Sequence, residues 1–167
     1  YKMIVELSVN GLNDYYKRLK KASEMFKKMK PKFIEKSLSY IQDKANEHIQ
    51  ATTGNSSWYV LTHELENSWV INILEKSLIN YCSHAAFVEY GTGSVGKGTH
   101  PDSGNYSYDV KGHGDEGCFF YDKEHNLHWT KGMEAHAFLF DAVNDYLYRG
   151  GFDTIINEVM NEVFGGL

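Results

Sequence analysis

Two apolar stripes at helical spacing constrain this chain most. From Tyr15 the apolar positions run through Leu19, Ala22, Phe26, Met29 and Phe33 in alternating steps of four and three, which keeps them on one face of an α-helix. Asn13 or Asp14 stands where the N-cap of such a helix belongs. Pro31 falls inside the pattern, and the stripe resumes one position out of phase at Ile34, Leu38, Ile41, Ala45 and Ile49. Proline removes a helical N–H and crowds the preceding turn, so the phase shift predicts a kink near Pro31 or a second helix starting there. The helical unit is expected to end near Thr53-Gly54. At 1.5 Å per residue it reaches about 57 Å, longer than a globule of 167 residues needs internally, so part of it is expected to project toward a neighbour.

Around this helix the chain reads as one domain over residues 1–167. Hydrophobic residues make up 42% and aromatic residues 14%, enough to build a core and to exclude disorder over most of the length. No window approaches the roughly 18 apolar residues of a membrane span, and the first residues do not resemble a secretory signal, so no membrane is expected among the partners. Cys82 and Cys118 are not in CxxC spacing and are expected to be reduced thiols.

Residues 2–9 mix β-branched and apolar side chains and end at Asn10-Gly11, a pattern for a strand and a turn. Residues 67–74 alternate as a strand does, and Lys76-Ser77 is placed to close a hairpin with Leu78 to Cys82. Ala85, Ala86, Phe87 and Val88 run into Glu89-Tyr90 and stop at Gly91-Thr92-Gly93, as a short helix does when it feeds backbone that needs glycine. Residues 91–117 hold eight of the 15 glycines and predict a long irregular loop that orders on a partner. Cys118–Tyr121 and Leu127–Thr130 predict a second hairpin. From Glu134 a helix with Phe138, Ala142, Tyr146 and Leu147 on one face is interrupted at Gly150-Gly151 and resumes to Phe164. The expected class is α+β: a small antiparallel sheet packed against a long N-terminal helix and a C-terminal helix, with the loop at 91–117.

Catalytic signatures are absent from the sequence. His100, His113 and Asp115 in the loop are the residues around which a small metal-dependent hydrolase would have to be built, but HExxH, CxxC and EF-hand spacings do not occur. Gly91 to Lys97 approaches a phosphate loop, yet Gly98 stands where the magnesium-binding Ser or Thr belongs. No cofactor, metal or catalytic residue is expected. Charge is uneven: residues 12–36 carry nine basic residues against three acidic ones, a net of +6, so the remainder carries −11 within a total of −5. Two surfaces of opposite sign suit docking between copies or partners. With the aromatics of the stripe expected to be packed and the chain acidic overall, direct nucleic-acid binding is not expected.

The order of these pieces resembles the gene-ten-like tail-component family of tailed bacteriophages and related phage-tail-like particles. The matching residues are Thr62, Leu65 and Ser68; then Ala85, Val88, Glu89, Tyr90, Gly91 and Thr92; then Thr130, Gly132, Ala135, Phe138 and Leu139. Three positions depart from the family pattern: His63 replaces a glycine, Ala137 stands where proline is common, and Asp141 where a second proline often lies. The resemblance implies a non-enzymatic α+β subunit of the virion, at the neck or head-tail connector or completing the tail. It implies copies assembled as a ring, of sixfold symmetry, in the host cytoplasm. The implied partners are portal-side or adaptor connector proteins and tail terminator or tube proteins, with DNA only as the genome in transit. Assembly residues expected from it are Glu89, Tyr90, Gly91, Thr92, Gly93, Lys97 and His113 around the loop, Thr130, Lys131 and Gly132 at its return, and Lys20, Lys27 and Lys28 on the basic face. Glu89 is expected to take a hydrogen bond from the returning segment and Tyr90 to pack, while Gly91→Val is expected to spare the isolated fold and block assembly. A toxin or regulatory binding module without ring symmetry is the other non-enzymatic reading.

Overall fold

A computed structural model describes residues 10–52, 63–103, 116–121 and 124–165. The expected strand over 2–9, the helix end at Thr53-Gly54, and His113 and Asp115 lie outside the described residues. α1 (Asn10–Thr52) is one α-helix of 43 residues, about 65 Å long. It takes in Asn10-Gly11, expected as a turn, and it passes through Pro31 without a break, so there is no second helix. Pro31 and Lys27 are exposed. The Lys27 carbonyl, deprived of its helical partner by the proline ring, is therefore left to water instead of being stranded in a core.

A single helical turn, α2 (Glu64–Asn67), leads into β1 (Trp69–Asn72), which pairs antiparallel with β2 (Ser77–Asn80) in the register Trp69 to Asn80 and Asn72 to Ser77. The strand stops at Asn72, short of the expected residue 74. The Asn72 side-chain carbonyl accepts the Glu75 N–H at 3.1 Å and Lys76 takes φ +54°, which closes a four-residue turn with Leu74 at its exposed tip. The chain continues through α3 (Ala85–Tyr90), a short turn α4 (Gly93–Gly96), and the antiparallel pair β3 (Cys118–Tyr121) and β4 (Leu127–Thr130), joined by a tight bridge at β5 (Gly132–Met133) to α5 (Phe138–Tyr148) and α6 (Gly151–Phe164). The class is α+β as expected, with the strands divided between two separate two-stranded sheets. Among the described residues no helix is long and apolar enough to cross a membrane.

The apolar stripe of α1 is covered by two helices in turn. α5 and α6 run antiparallel to α1, one after the other, and each uses a different stretch of it. Phe26 meets Phe164, and Met29 and Phe33 pack on Tyr146, Ile155 and Val159 of the α5–α6 pair. Farther along, Ala45 and Ile49 close a core with Leu65, Cys82, Phe138 and Ala142. Ser37 and the Tyr146 hydroxyl, 2.8 Å apart and buried, mark the change of partner. The first hairpin is tied to both helices, since Trp69 packs edge-on against Phe138 and donates its indole N–H to Asn46 Oδ1 at 2.8 Å.

Two expectations about α1 change. Its first apolar residues are not packed: Leu12, Tyr15, Tyr16 and Leu19 are each half or more exposed, because the α6 helix ends beside Phe26. The basic and acidic segments are also not on opposite surfaces throughout. Lys36 Nζ lies 2.6 Å from Glu162 and 3.1 Å from Glu158, and Lys32 lies 3.1 Å from Glu162. Hydrogen bonds from Lys36, then Lys32, hold the Glu162 carboxyl below its usual value, and those to Glu162 and then Glu158 raise Lys36. The antiparallel descent of α6 brings its acidic face onto the last part of the basic stretch, leaving Lys20, Lys27 and Lys28 exposed beyond it.

A second polar cluster is placed deeper. Asp145 of α5 is buried and accepts hydrogen bonds from His48 Nε2 at 2.8 Å and Arg149 Nη1 at 2.7 Å. Burial alone would raise its pKa, but the bonds from His48 and Arg149 outweigh burial and hold it below the ordinary carboxylate value. A depressed folded-state pKa contributes stability above the unfolded value of about 3.9 and loses it as pH falls through the folded value. Denaturant unfolding of the wild type between about pH 2 and 6 is therefore expected to show stability falling below about pH 4, and Asp145→Asn to flatten that dependence; an unchanged slope in the variant would assign the acid loss to other carboxylates.

Candidate functional site

The Glu89–Gly93 stretch and the Thr130–Gly132 return, far apart in sequence, meet in one junction at the N-terminus of α5. Ala137 occupies the N-cap position of this helix and offers no side-chain cap. Glu89 supplies one from fifty residues earlier: Oε2 accepts the Leu139 N–H at 2.8 Å and Oε1 accepts the Phe140 N–H at 3.1 Å. A carboxylate here satisfies two orphan donors and sits at the positive end of the helix dipole. Below it the backbone is also joined, the His136 N–H donating to Val88 O and the Ala137 N–H to Glu89 O. The hydrogen bonds to Glu89 thus come from the start of α5, and not from Thr130, Lys131 or Gly132 as expected.

His100 completes the cap. It is 3% exposed, and its Nδ1 accepts the Asp102 N–H at 3.1 Å, which leaves Nε2 as the protonated nitrogen that donates to Glu89 Oε1 at 3.2 Å. The Tyr90 ring packs against one side of the imidazole and Phe140 against another, with ring centres 5.0 and 5.4 Å away. The first part of the glycine-rich segment is therefore packed structure, contrary to the expectation of an irregular loop from residue 91 onward. Burial of one aromatic-flanked histidine gives residues 97–103 a fixed path that composition alone does not reveal.

The glycines between these groups are set by close backbone approach. Thr92 and Gly93 bridge antiparallel to Met133 and Gly132, and Thr92 Oγ1 accepts the Met133 N–H at 3.2 Å. Gly91 has φ +77°, and a Cβ on it would stand 2.7 Å from the Ala135 nitrogen and 2.8 Å from the Met133 oxygen. Gly91→Val therefore breaks the junction itself, and the expectation that it spares the isolated fold is corrected. Thr130 Oγ1 accepts the Gly132 N–H at 3.0 Å, and Thr99 Oγ1 accepts the Ala135 N–H at 2.9 Å while donating to Gly96 O at 2.8 Å. Lys131 contributes its carbonyl, which the Val95 N–H reaches at 3.3 Å, and leaves its side chain exposed, as does Lys97.

The junction joins Glu89, Tyr90, Gly91, Thr92, Gly93, Thr130, Lys131 and Gly132. Lys20, Lys27 and Lys28 stand elsewhere, on α1. His100 and Thr99 are not among the expected assembly residues, because the burial of His100 is set by packing that the sequence does not display. Both Glu89 oxygens are occupied by donors in a buried setting, which suits a structural cap. His100, offered by the sequence as a metal ligand, spends both ring nitrogens on Glu89 and Asp102.

Two positions that depart from the resembled pattern take up unusual backbone. His63 has φ +55°, a region glycine enters without strain and other residues rarely adopt. Ala137 has φ +47°, which the proline ring cannot adopt, so the start of α5 follows a path here that a proline at this position would forbid. No family model, curated protein or solved structure matches this chain, so the junction is read on its own residues.

Proposed function

We propose that this chain is a structural subunit of a tailed bacteriophage or phage-tail-like particle, forming a ring of copies at the neck that joins or completes the tail. One observation carries the assembly part of this reading: the exposed apolar residues of the chain include two separate groups on unlike elements. The first is the start of α1, where Leu12, Tyr15, Tyr16 and Leu19 extend beyond the reach of α6. The second is one face of the β3–β4 hairpin, on which the cross-strand pairs Phe119–Trp129 and Tyr121–Leu127 are all half or more exposed. A closed ring needs a heterologous interface, in which one surface of a copy meets a different surface of the next. Exposed apolar patches separated on one molecule meet that need. The order of motifs around the Glu89 junction supports the virion part, and the exposed Lys20, Lys27 and Lys28 add charge at the first surface for an acidic neighbour.

The test is imaging of particles that carry a label on this chain. The expected result is a sixfold ring at the head-proximal end of the tail; absence of the label from purified particles, or its spread along the tail, sinks the reading. At the level of residues, Tyr15→Glu with Leu19→Glu is expected to leave the helical circular-dichroism signal and melting temperature of the isolated chain nearly unchanged, since surface substitutions away from packed contacts cost within about 0.5 kcal/mol. The same variant is expected to abolish ring formation, measured by light scattering and electron microscopy.

A further inference from the structure

Away from the Glu89 junction, three metal-ligating side chains of different chemistry gather at the foot of the first hairpin. Glu64 begins α2, Cys82 follows β2, and His84 precedes α3, and their donor atoms all lie within 4.8 Å of one another. Cys82 Sγ stands 3.1 Å from Nδ1 and 3.3 Å from Nε2 of His84. We propose that Glu64, Cys82 and His84 form a binding site for a zinc-class divalent cation, a role independent of the ring reading.

Donor spacing fits such an ion. Tetrahedral zinc with Zn–S of about 2.3 Å and Zn–N or Zn–O of about 2.0–2.1 Å separates its ligand atoms by about 3.4–3.6 Å. The present separations of Cys82 Sγ from the His84 nitrogens, 3.1 and 3.3 Å, are slightly shorter than that, so the ion would require the side chains to turn outward and the imidazole to rotate until one lone pair faces it. The backbone is already fixed at all three ligands. Asn80 Oδ1 accepts the Cys82 N–H at 2.9 Å while Asn80 Nδ2 donates to Leu65 O at 2.7 Å, tying Cys82 to the turn that carries Glu64. The Ala85 N–H donates to Cys82 O at 3.0 Å, which sets the bend on which His84 sits, and Ser68 Oγ donates to Glu64 O at 2.6 Å. Ligands pre-positioned in this way lose little conformational freedom when the ion arrives.

Donor chemistry selects the ion. A thiolate with an imidazole and one carboxylate favours zinc and its soft or borderline neighbours over magnesium or calcium, which take oxygen donors. Cys82 is buried, His84 half-buried and Glu64 exposed. The cation would therefore rest on the sulfur floor at the protein surface, with a fourth position open to water. On binding, the Cys82 S–H bond is broken and its proton goes to the buffer, while the neutral imidazole gives its lone pair. Thiolate and carboxylate together balance the charge of the divalent ion. The bound ion would clamp α2 and the end of the hairpin to the start of α3, the helix that delivers Glu89.

The proposal is tested with the full chain, kept reduced and stripped of metal with a chelator. Cobalt(II) is titrated first, followed by displacement with zinc and measurement of metal per chain. The expected result is one equivalent bound, with a thiolate-to-cobalt charge-transfer absorption that zinc abolishes. Cys82→Ser is expected to remove that absorption and weaken zinc binding by about 100-fold or more, and His84→Ala and Glu64→Gln to weaken it about 10- to 100-fold, while Cys118→Ser binds as the wild type does. Glu64 is exposed, so Glu64→Gln reports on the site even if Cys82→Ser unfolds the buried core around it. Failure to bind zinc at micromolar free concentration overturns the proposal, as does a charge-transfer band that survives Cys82→Ser or disappears in Cys118→Ser, or zinc affinity untouched by Glu64→Gln.

Discussion

Replacing Glu89 with alanine is expected to cost about 3–5 kcal/mol of folding stability, the range for removing one partner from a buried, charged hydrogen-bonded group. Three donors lose their acceptor at once: the Leu139 and Phe140 amides and His100 Nε2. At the α5 N-terminus Ala137 offers no side-chain hydrogen bond that could replace the carboxylate for the two amides. For a chain of this size the loss corresponds to a fall in melting temperature on the order of 10 °C. Glu89→Gln keeps one acceptor oxygen but turns an amide N–H toward a backbone donor, so an intermediate loss of about 2 kcal/mol is expected. The specific signature is hydrogen exchange: protection of the Leu139 and Phe140 amides should fall more than that of amides in the middle of α5. Denaturant unfolding that shows less than about 1 kcal/mol for Glu89→Ala would mean that water caps the helix as well as the carboxylate does.

Gly132→Ala is the second large effect. Gly132 has φ +105°, where an L side chain is strained, and a Cβ on it would overlap the Thr92 carbonyl. Neither side of the contact is a flexible side-chain end, so relief requires the Thr92–Met133 and Gly93–Gly132 bridges to open. A loss of about 3 kcal/mol or more is expected, from backbone strain of about 1–3 kcal/mol together with the broken bridge. Gly98 supplies the control. It also has positive φ, at +74°, but nothing lies within 4 Å of a Cβ placed there, so Gly98→Ala is expected to cost only the local strain of about 1–2 kcal/mol. Thermal and urea unfolding of the two variants side by side checks the difference; equal losses would show that close approach at Gly132 is relieved by backbone shifts.

Much of this architecture is legible in the sequence because it is written in local periodicity. The stripe from Tyr15 to Ile49 is α1, the break at Gly150-Gly151 separates α5 from α6, and the runs at Cys118–Tyr121 and Leu127–Thr130 are the second hairpin. The one-position phase shift near Pro31 was visible too, but its meaning was not. It reads as an interruption in sequence, whereas in three dimensions the helix is unbroken, and Ser37 and Tyr40, in register with Phe33, carry its packing on to Tyr146. Tyr15 and Leu19 are exposed although they lie on the stripe, for a related reason: a stripe tells which face is apolar, and only the length of α6 decides how much of that face is covered.

The Glu89 junction divides in the same way. The sequence by itself determined that a short helix ends in Glu-Tyr-Gly-Thr and that glycine must follow, since these depend on residues near one another in the chain, whereas Thr130 to Gly132 is singled out as a second point only by the resemblance. Tertiary structure decided that the two points are one place, that Glu89 caps a helix fifty residues away, and that His100 is drawn from a glycine-rich run into a buried bond with it. The physical reason is that a buried carboxylate is defined by the donors that surround it, and here those donors come from two other segments, brought together only when α5 packs along α1.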